Sequence, residues 1–313
     1  MANNSSLLVS NAPLRRTIND RVILVQVLVA LFLCTNLMLL TVFFMKEVFY
    51  TSMRYILFAN TLLSDCVILI VTNILLSMSY FQVTTQMWLC MIFVAVSSLY
   101  NFVTPVTLTA MTLERYVAIC LPLRHGELCS SHRALQLILI IHGLSIIPCV
   151  VVMLVFFIAV NFRVYNQYTI CSVEMFIVHS WQGHLRSAIS QFYFLIMCIT
   201  IVFSYVKIMK VAKAASGENK KSTGKGLRTV VLHAFQLLLC LIQLCCPFIE
   251  AAVLQIDLML FINVRYFNYI MFNLTPRCLS PLIYGLRDEA FFHAVKYYVL
   301  CGMCKNKSLG FTI

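Results

Sequence analysis

Apolar runs of about 20 residues or more recur along nearly the whole of this chain, and they leave it few ways to fold. A run of that length crosses the hydrocarbon of a bilayer as a helix. Inside lipid, a backbone must satisfy its own N–H and C=O groups, which restricts spanning segments to helices or closed barrels. The runs are continuous, not alternating, so they read as helices. We separate seven: Arg21 to Met45, Met53 to Ser79, Trp88 to Cys120, Arg133 to Val160, Leu185 to Val211, Leu227 to Gln255 and Leu258 to Tyr284. Only Glu250, Asp257 and Arg265 divide the last two, and merging them would give six spans. Of 313 residues 61% are hydrophobic and 11% charged, where soluble domains carry roughly a quarter charged residues. The expectation is an all-α membrane protein, a seven-helix bundle. It divides into an exterior tail over 1–20, a seven-transmembrane domain over 21–286 and a cytoplasmic segment over 287–313.

The net charge of +12 raises the question of nucleic acid, and the placement of the charge answers it. Most Lys and Arg fall between the first and second runs, at the foot of the third and just after it, between the fifth and sixth, or beyond the seventh. By the positive-inside rule those segments are cytoplasmic and the amino terminus is outside, against the pull of Arg15, Arg16 and Arg21. No charged n-region with a cleavable apolar segment opens the chain, so the first span is expected to act as its own insertion signal. Asn3 and Asn4 each begin a glycosylation sequon on the exterior tail. Asn273 and Asn306 match the same pattern, but one lies in a span and the other inside, so neither is expected to be modified. Ala214 to Gly226, AASGENKKSTGKG, reads as a mobile loop. After Tyr284, the residues Phe291, Phe292, Val295, Tyr298 and Val299 share one helical face opposite charges, the pattern of a short amphipathic helix on the inner membrane surface. Cys301 and Cys304 at its end either carry palmitate or are free.

Chemistry of the bond-breaking kind finds no footing. The 14 cysteines form no paired metal-ligand array and the seven histidines are dispersed. No Ser/His/Asp set falls on one membrane face, and no Gly-rich phosphate loop follows a strand. The expectation is no enzyme, no metal and no cofactor. A transporter calls for ionisable groups along a through-path and for broken helices at midplane, and the only deep charges are Asp65 and Arg277.

Charges at special depths carry the remaining signal. The third run ends in MTLERYVAICLPLRH, with Glu114, Arg115 and Tyr116; Asp65 sits deep in LSDCVILI; the seventh run ends in SPLIYGLRDE, with Pro281 and Tyr284. Cys90 lies at the outer end of the third run and Cys171 in the exterior segment from Asn161 to His184. In this order these features resemble the class A, rhodopsin-like G protein-coupled receptors. The finer wording resembles the odorant receptors: MTLERYVAICLPLRH is similar to their MAYDRYVAICxPLRY, SPLIYGLRDE to their NPIIYSLRN, and SYVKIM at 204–209 and TVVLH at 229–233 to the end of their fifth and start of their sixth spans. PRCLSPLIYGLRDE and LHAFQLLLC are closer to the fish-type branch than to the mammalian one. The chain departs from the pattern at Ser280, where Asn is usual, in a fourth span without tryptophan, and in an exterior loop with a single cysteine.

The resemblance implies a set of roles. Cys90 and Cys171 form an exterior disulfide. Glu114, Arg115, Tyr116, Tyr205, Pro281 and Tyr284 form the activation switch: Arg115 is held by Glu114 at rest and released to the G protein and Tyr205 when the sixth span swings outward. Read alone, the Glu114–Arg115 pair is an ordinary juxtamembrane pair reaching into headgroups. Asp65, Arg277, Ser280 and Asn36 form a buried polar core. Many relatives hold sodium beside the equivalent aspartate, whereas Arg277, one turn outward of Pro281, is positioned to neutralise Asp65 and exclude the ion; the alternative is that Arg277 points elsewhere and Asp65 is protonated. The ligand chamber is expected from Ser97, Ser98, Asn101, Phe102, Ile189, Ser190, Tyr193, Gln243, Leu244, Phe248, Tyr266 and Ile270. Ser97 stands where aminergic receptors carry their amine-binding Asp, which disfavours simple amines, and Glu250 reads as a rim charge. The implied partners are a small-molecule odorant, a heterotrimeric G protein of the stimulatory or olfactory class and membrane lipid, with a plasma-membrane location in olfactory sensory neurons. The competing readings are a non-olfactory class A receptor, a transporter, and a membrane protein that does not signal.

Overall fold

A computed structural model describes residues 20–160, 166–171, 173–215 and 220–287, with positions 293, 296 and 297. Helices appear where the apolar runs predict them: α1 (Asp20–Met45), α2 (Met53–Tyr80), α3 (Met87–Cys120), a short α4 (Pro122–Leu128), α5 (Ser131–Ala159), α6 (Ser180–Ala215), α7 (Lys220–Leu254), α8 (Leu258–Asn268) and α9 (Thr275–Arg287). Six of these are individually long and apolar enough to cross a bilayer. The seventh crossing is composite, because a six-residue π turn, Tyr269–Leu274, joins α8 to α9 into one helical rod. The soft boundary before it is real. Asp257 is extended there, and its carboxylate accepts from the Leu260 N–H at 2.9 Å, capping α8.

One expectation fails. The loop read at 214–226 is mostly helix, since α6 runs to Ala215 and α7 begins at Lys220. Extending a helix already anchored by its span adds one hydrogen bond per residue fixed and needs no new nucleus, and Lys is a good helix former. That advantage outweighs the local Gly and Ser content.

The bundle is built around α3, which packs against α2, α5, α6 and α7. Its core joins Leu57, Phe58, Leu62, Val103, Leu108, Met111, Ile141 and Leu237. Many large apolar side chains face outward, among them Ile158 at 86% and Leu139 at 73% exposure. In a water-soluble fold that would be untenable; against acyl chains it is the expected finish of a spanning helix. At one end of the bundle, strands β1 (Thr84–Gln86) and β2 (Tyr168–Ile170) pair antiparallel, with Thr84 opposite Ile170. Beside them Cys90 and Cys171 are joined by a disulfide, Cα to Cα 5.4 Å. Both are buried with Met87, Val94, Met153, Phe156 and Phe176. At the other end, positions 293, 296 and 297 are helical. Asn3, Asn4, Cys301, Cys304 and the apolar face at Phe291, Phe292, Val295, Tyr298 and Val299 lie outside the described residues.

Candidate functional site

Three layers of polar residues follow α3 from the disulfide end to the Arg115 end. Nearest the disulfide, Ser97 and Phe102 are buried on α3 while Ser98 and Asn101 are half-buried. Gln243 of α7 donates to Asn101 Oδ1 at 2.9 Å, tying α7 to α3. The Phe102 and Tyr193 rings meet edge to face at 5.2 Å, and the Tyr193 hydroxyl donates to the Leu144 carbonyl at 2.7 Å, tying α6 to α5. Ser190 is buried but bonds its own helix, at the Arg186 carbonyl. Ile189 is half-buried and Leu244 buried, whereas Phe248, one turn beyond Leu244, is 58% exposed. Tyr266 and Ile270 belong to a different group, packed with Val25, Val29 and Leu69 of α1 and α2. Arg21 lies 5.4 Å over the Tyr266 ring and donates to Asn263 at 2.8 Å. Glu250 is no bare rim charge: it accepts from the buried Asn268 amide at 3.0 Å.

The middle layer is the most tightly closed. Asp65 is fully buried and Arg277 is 2% exposed, with Arg277 Nε 3.8 Å from Asp65 Oδ1. Thr104 of α3 donates to Oδ1 at 3.3 Å and Ser280 to Oδ2 at 3.2 Å. Arg277 Nη1 also bonds the Asn273 carbonyl. Gln236 of α7 reaches in and donates to Ser280 Oγ at 2.6 Å and to the Pro276 carbonyl at 3.1 Å. An isolated charge at this depth costs about 2.5 to 3.5 kcal/mol even on insertion scales, and the opposite charge with converging hydroxyls offsets part of that penalty. Asn36 is buried too, but neither of its amide atoms bonds another described residue.

Sequence reasoning found Asp65, Arg277 and Ser280 and missed Gln236 and Thr104. Gln236 had a signal, being an amide in the middle of an apolar run; Thr104 had none, since threonine is common on spanning helices. The π turn was missed as well. It ends a few residues before Arg277, and Thr275 Oγ1 donates five residues back to the Ile270 carbonyl at 2.9 Å. Such turns recur at functional sites.

At the far layer Glu114 and Arg115 are both buried, at 8% and 5% exposure. His125 of α4, introduced by the helix-starting Pro122, brings Nε2 to 3.4 Å from the Glu114 carboxylate. Tyr116 packs against Phe203 at 5.9 Å. Tyr205 is half-buried against the main core. Pro281 is buried on α9; Tyr284 lies on the same helix, with its side chain outside the described set. A separate concavity of about 660 Å³ opens between α1, α2 and α5, lined by Phe43, Phe44, Ile56, Leu63, Leu135 and Ile138. It holds none of the expected ligand residues, and Phe44, Leu63 and Leu135 at its edge are exposed.

Two comparisons bear on this arrangement. The family described as 7 transmembrane receptor (rhodopsin family) matches residues 35–284. Odorant receptor 131-2 of Danio rerio is 42% identical over 308 residues, covering 98% of this chain and 94% of that protein. A three-layer polar axis inside seven helices, a family match over most of the bundle and a full-length relative at this identity agree: the chain belongs to the rhodopsin family of G protein-coupled receptors and, within it, to the fish-type odorant receptors.

Proposed function

We propose that this receptor binds a small-molecule odorant between α3, α6 and α7 at the disulfide end and activates a stimulatory G protein at the Arg115 end, raising cyclic AMP. The disulfide end then faces outside and the amino terminus with it, in agreement with the distribution of Lys and Arg. The observation that carries the reading is the Asn101–Gln243 bond of 2.9 Å. It places a half-buried polar pair next to the apolar Phe102–Tyr193 wall, the mixture of apolar lining and few polar groups that small-molecule sites use. It also links α3 to α7, the two helices whose relative position must differ between resting and active states.

Activation here is a change of populations, not bond chemistry. A ligand shifts the equilibrium only by as much as it prefers one state, so contacts bridging α3 and α7 are where preference is generated. Glu114, Arg115, Tyr116, Tyr205, Pro281 and Tyr284 form the switch that reports the shift, with Asp65, Arg277, Ser280 and Asn36 as the polar core between. Ser97, Ser98, Ser190 and Phe248 complete the proposed ligand set, and Tyr266 and Ile270, which pack toward α1 and α2, stand apart from it.

Expression with a cyclic AMP reporter and a panel of volatile and water-soluble small molecules tests the whole reading. Agonist responses that vanish in surface-matched Arg115→Ala are expected. Full responses in that variant would remove Arg115 from the switch, and silence across the panel, together with no nucleotide exchange on stimulatory Gα, would remove the coupling assignment.

A further inference from the structure

Gln236 is the lone polar side chain in the stretch AFQLLLCLI, and the structure buries it completely. Its amide nitrogen donates both protons to α9, one to Ser280 Oγ at 2.6 Å and one to the Pro276 carbonyl at 3.1 Å. These acceptors are one helical turn apart, so the amide grips α9 along its axis and not at a point. Ser280 passes the link on, donating to Asp65 Oδ2 at 3.2 Å, while Asp65 Oδ1 meets Thr104 and Arg277. A continuous donor chain therefore runs from α7 through α9 to α2, where Thr104 of α3 joins it.

The acceptor side of the same amide is idle, since Gln236 Oε1 has no partner among the described residues. A buried amide left half-satisfied is a liability in a low-dielectric interior, and Leu or Met would fill this volume without it. The donor bonds are thus what the glutamine contributes at this position. Moving α7 away from α9 at this level breaks both bonds together and strips the Ser280 hydroxyl of its donor.

We infer that Gln236 is a positioning residue that holds α7 in the resting arrangement of the receptor, and that removing its donors raises ligand-independent activity. The signalling consequence rests on the receptor reading above. Losing two net hydrogen bonds in one state only shifts a two-state equilibrium by about fivefold to a hundredfold or more. On this inference the contact is made in the resting state and broken in the active one, so its loss weighs on the resting state alone.

The test uses Gln236→Met, Ser280→Ala and the double variant in full-length receptor. One readout is basal nucleotide exchange per surface receptor, with stimulatory and promiscuous Gα subunits. The other is hydrogen exchange of purified receptor in nanodiscs over 234–246 and 275–281, which needs no G protein. Gln236→Met should raise basal exchange by about fivefold or more and loosen both segments. Ser280→Ala should do so less, and the double variant no more than Gln236→Met, because both act on one link. Wild-type values in both readouts, or reduced surface delivery with no rise per receptor, would overturn the inference and leave Gln236 a packing residue. Loosened segments with no response from any Gα, in wild type as well, would support the clasp and sink the coupling assignment alone.

Discussion

Two polar clusters sit along α3, and they differ in how deeply they are buried and in how fully their central group is engaged by the protein. Around Asp65 both carboxylate oxygens are engaged, by Thr104 and Arg277 on one and Ser280 on the other, with no exposed surface. Around Asn101 the amides of Asn101 and Gln243 share a single bond, both residues are half-buried, and among the described residues each keeps a polar atom unbonded. A closed network specifies a conformation, whereas an open one can still recognise something else. On the proposed function the same helix carries a conformational lock and, about one turn nearer the disulfide, an adaptable recognition surface. Substitutions should separate them: those in the lock act on folding and resting state, those in the open pair on ligand potency.

The largest effect is expected in the closed cluster. Removing one member of a buried ion pair strands the other, at about 3 to 5 kcal/mol, whereas removing both is far milder. Asp65→Asn and Arg277→Met should each sharply reduce the folded, surface-delivered fraction, and the double variant should recover much of it. Surface labelling and thermal denaturation in detergent give the cycle. Additive losses would show that the two charges do not depend on each other.

Next comes the covalent tie over the open cluster. The Cys90–Cys171 bridge closes a loop with a sequence separation of 81 residues, and removing such a bridge costs about 2 to 5 kcal/mol. Cys90→Ser should lose surface delivery or agonist response. Peptide mapping without reductant that finds both as free thiols in active receptor would dismiss the bridge as a functional element.

How much of this was legible beforehand depends on the distance over which each signal acts. Spans were legible because a hydrocarbon layer imposes length and apolarity locally. The reading of Arg277 beside Asp65 used only that four residues from Pro281 is one helical turn, a rule that holds within α9, and the two side chains lie 3.8 Å apart. The grouping of Tyr266 and Ile270 with the chamber fared differently. Between Tyr266 and Pro281 stands the π turn at Tyr269–Leu274, with Ile270 inside it. An extra residue in a turn rotates everything beyond it by roughly 100°, and the two side chains pack toward α1 and α2. Nothing in YIMFNL announces that turn. The Gln236 link to Ser280 spans 44 residues and depends on the packing of α7 on α9, which only the assembled bundle fixes.

A smaller effect belongs to the open cluster. Asn101→Ala and Gln243→Leu should each lower agonist potency by about tenfold for odorants bearing a hydrogen-bonding group, the equivalent of about 1.4 kcal/mol. Thermal stability should change little, since both sites are half-buried and water can replace the lost partner. Dose–response curves beside melting curves read both. A loss of stability as large as that of Asp65→Asn would erase the distinction between the clusters.

The smallest effect expected is none, and it probes the lock from the other side. A carboxylate buried without a protein cation would recruit an ion to its site, and sodium would then favour the state in which that site is intact. Here the Arg277 guanidinium stands 3.8 Å from Asp65, and Thr104 and Ser280 occupy the carboxylate oxygens. A sodium ion would have to displace a tethered positive charge that cannot leave the helix, and its own hydration would be lost in doing so. We propose that the site excludes the ion. Replacing Na⁺ by choline at constant ionic strength should leave agonist potency and basal activity of the wild-type receptor unchanged. Arg277→Met, which retains Asp65 and opens the space beside it, should acquire a sodium dependence in whatever fraction reaches the surface, and Asp65→Asn in that background should abolish it. A sodium effect in wild type that disappears in Asp65→Asn would show the ion bound despite the arginine, and the closed cluster would have to be redrawn with Arg277 outside it.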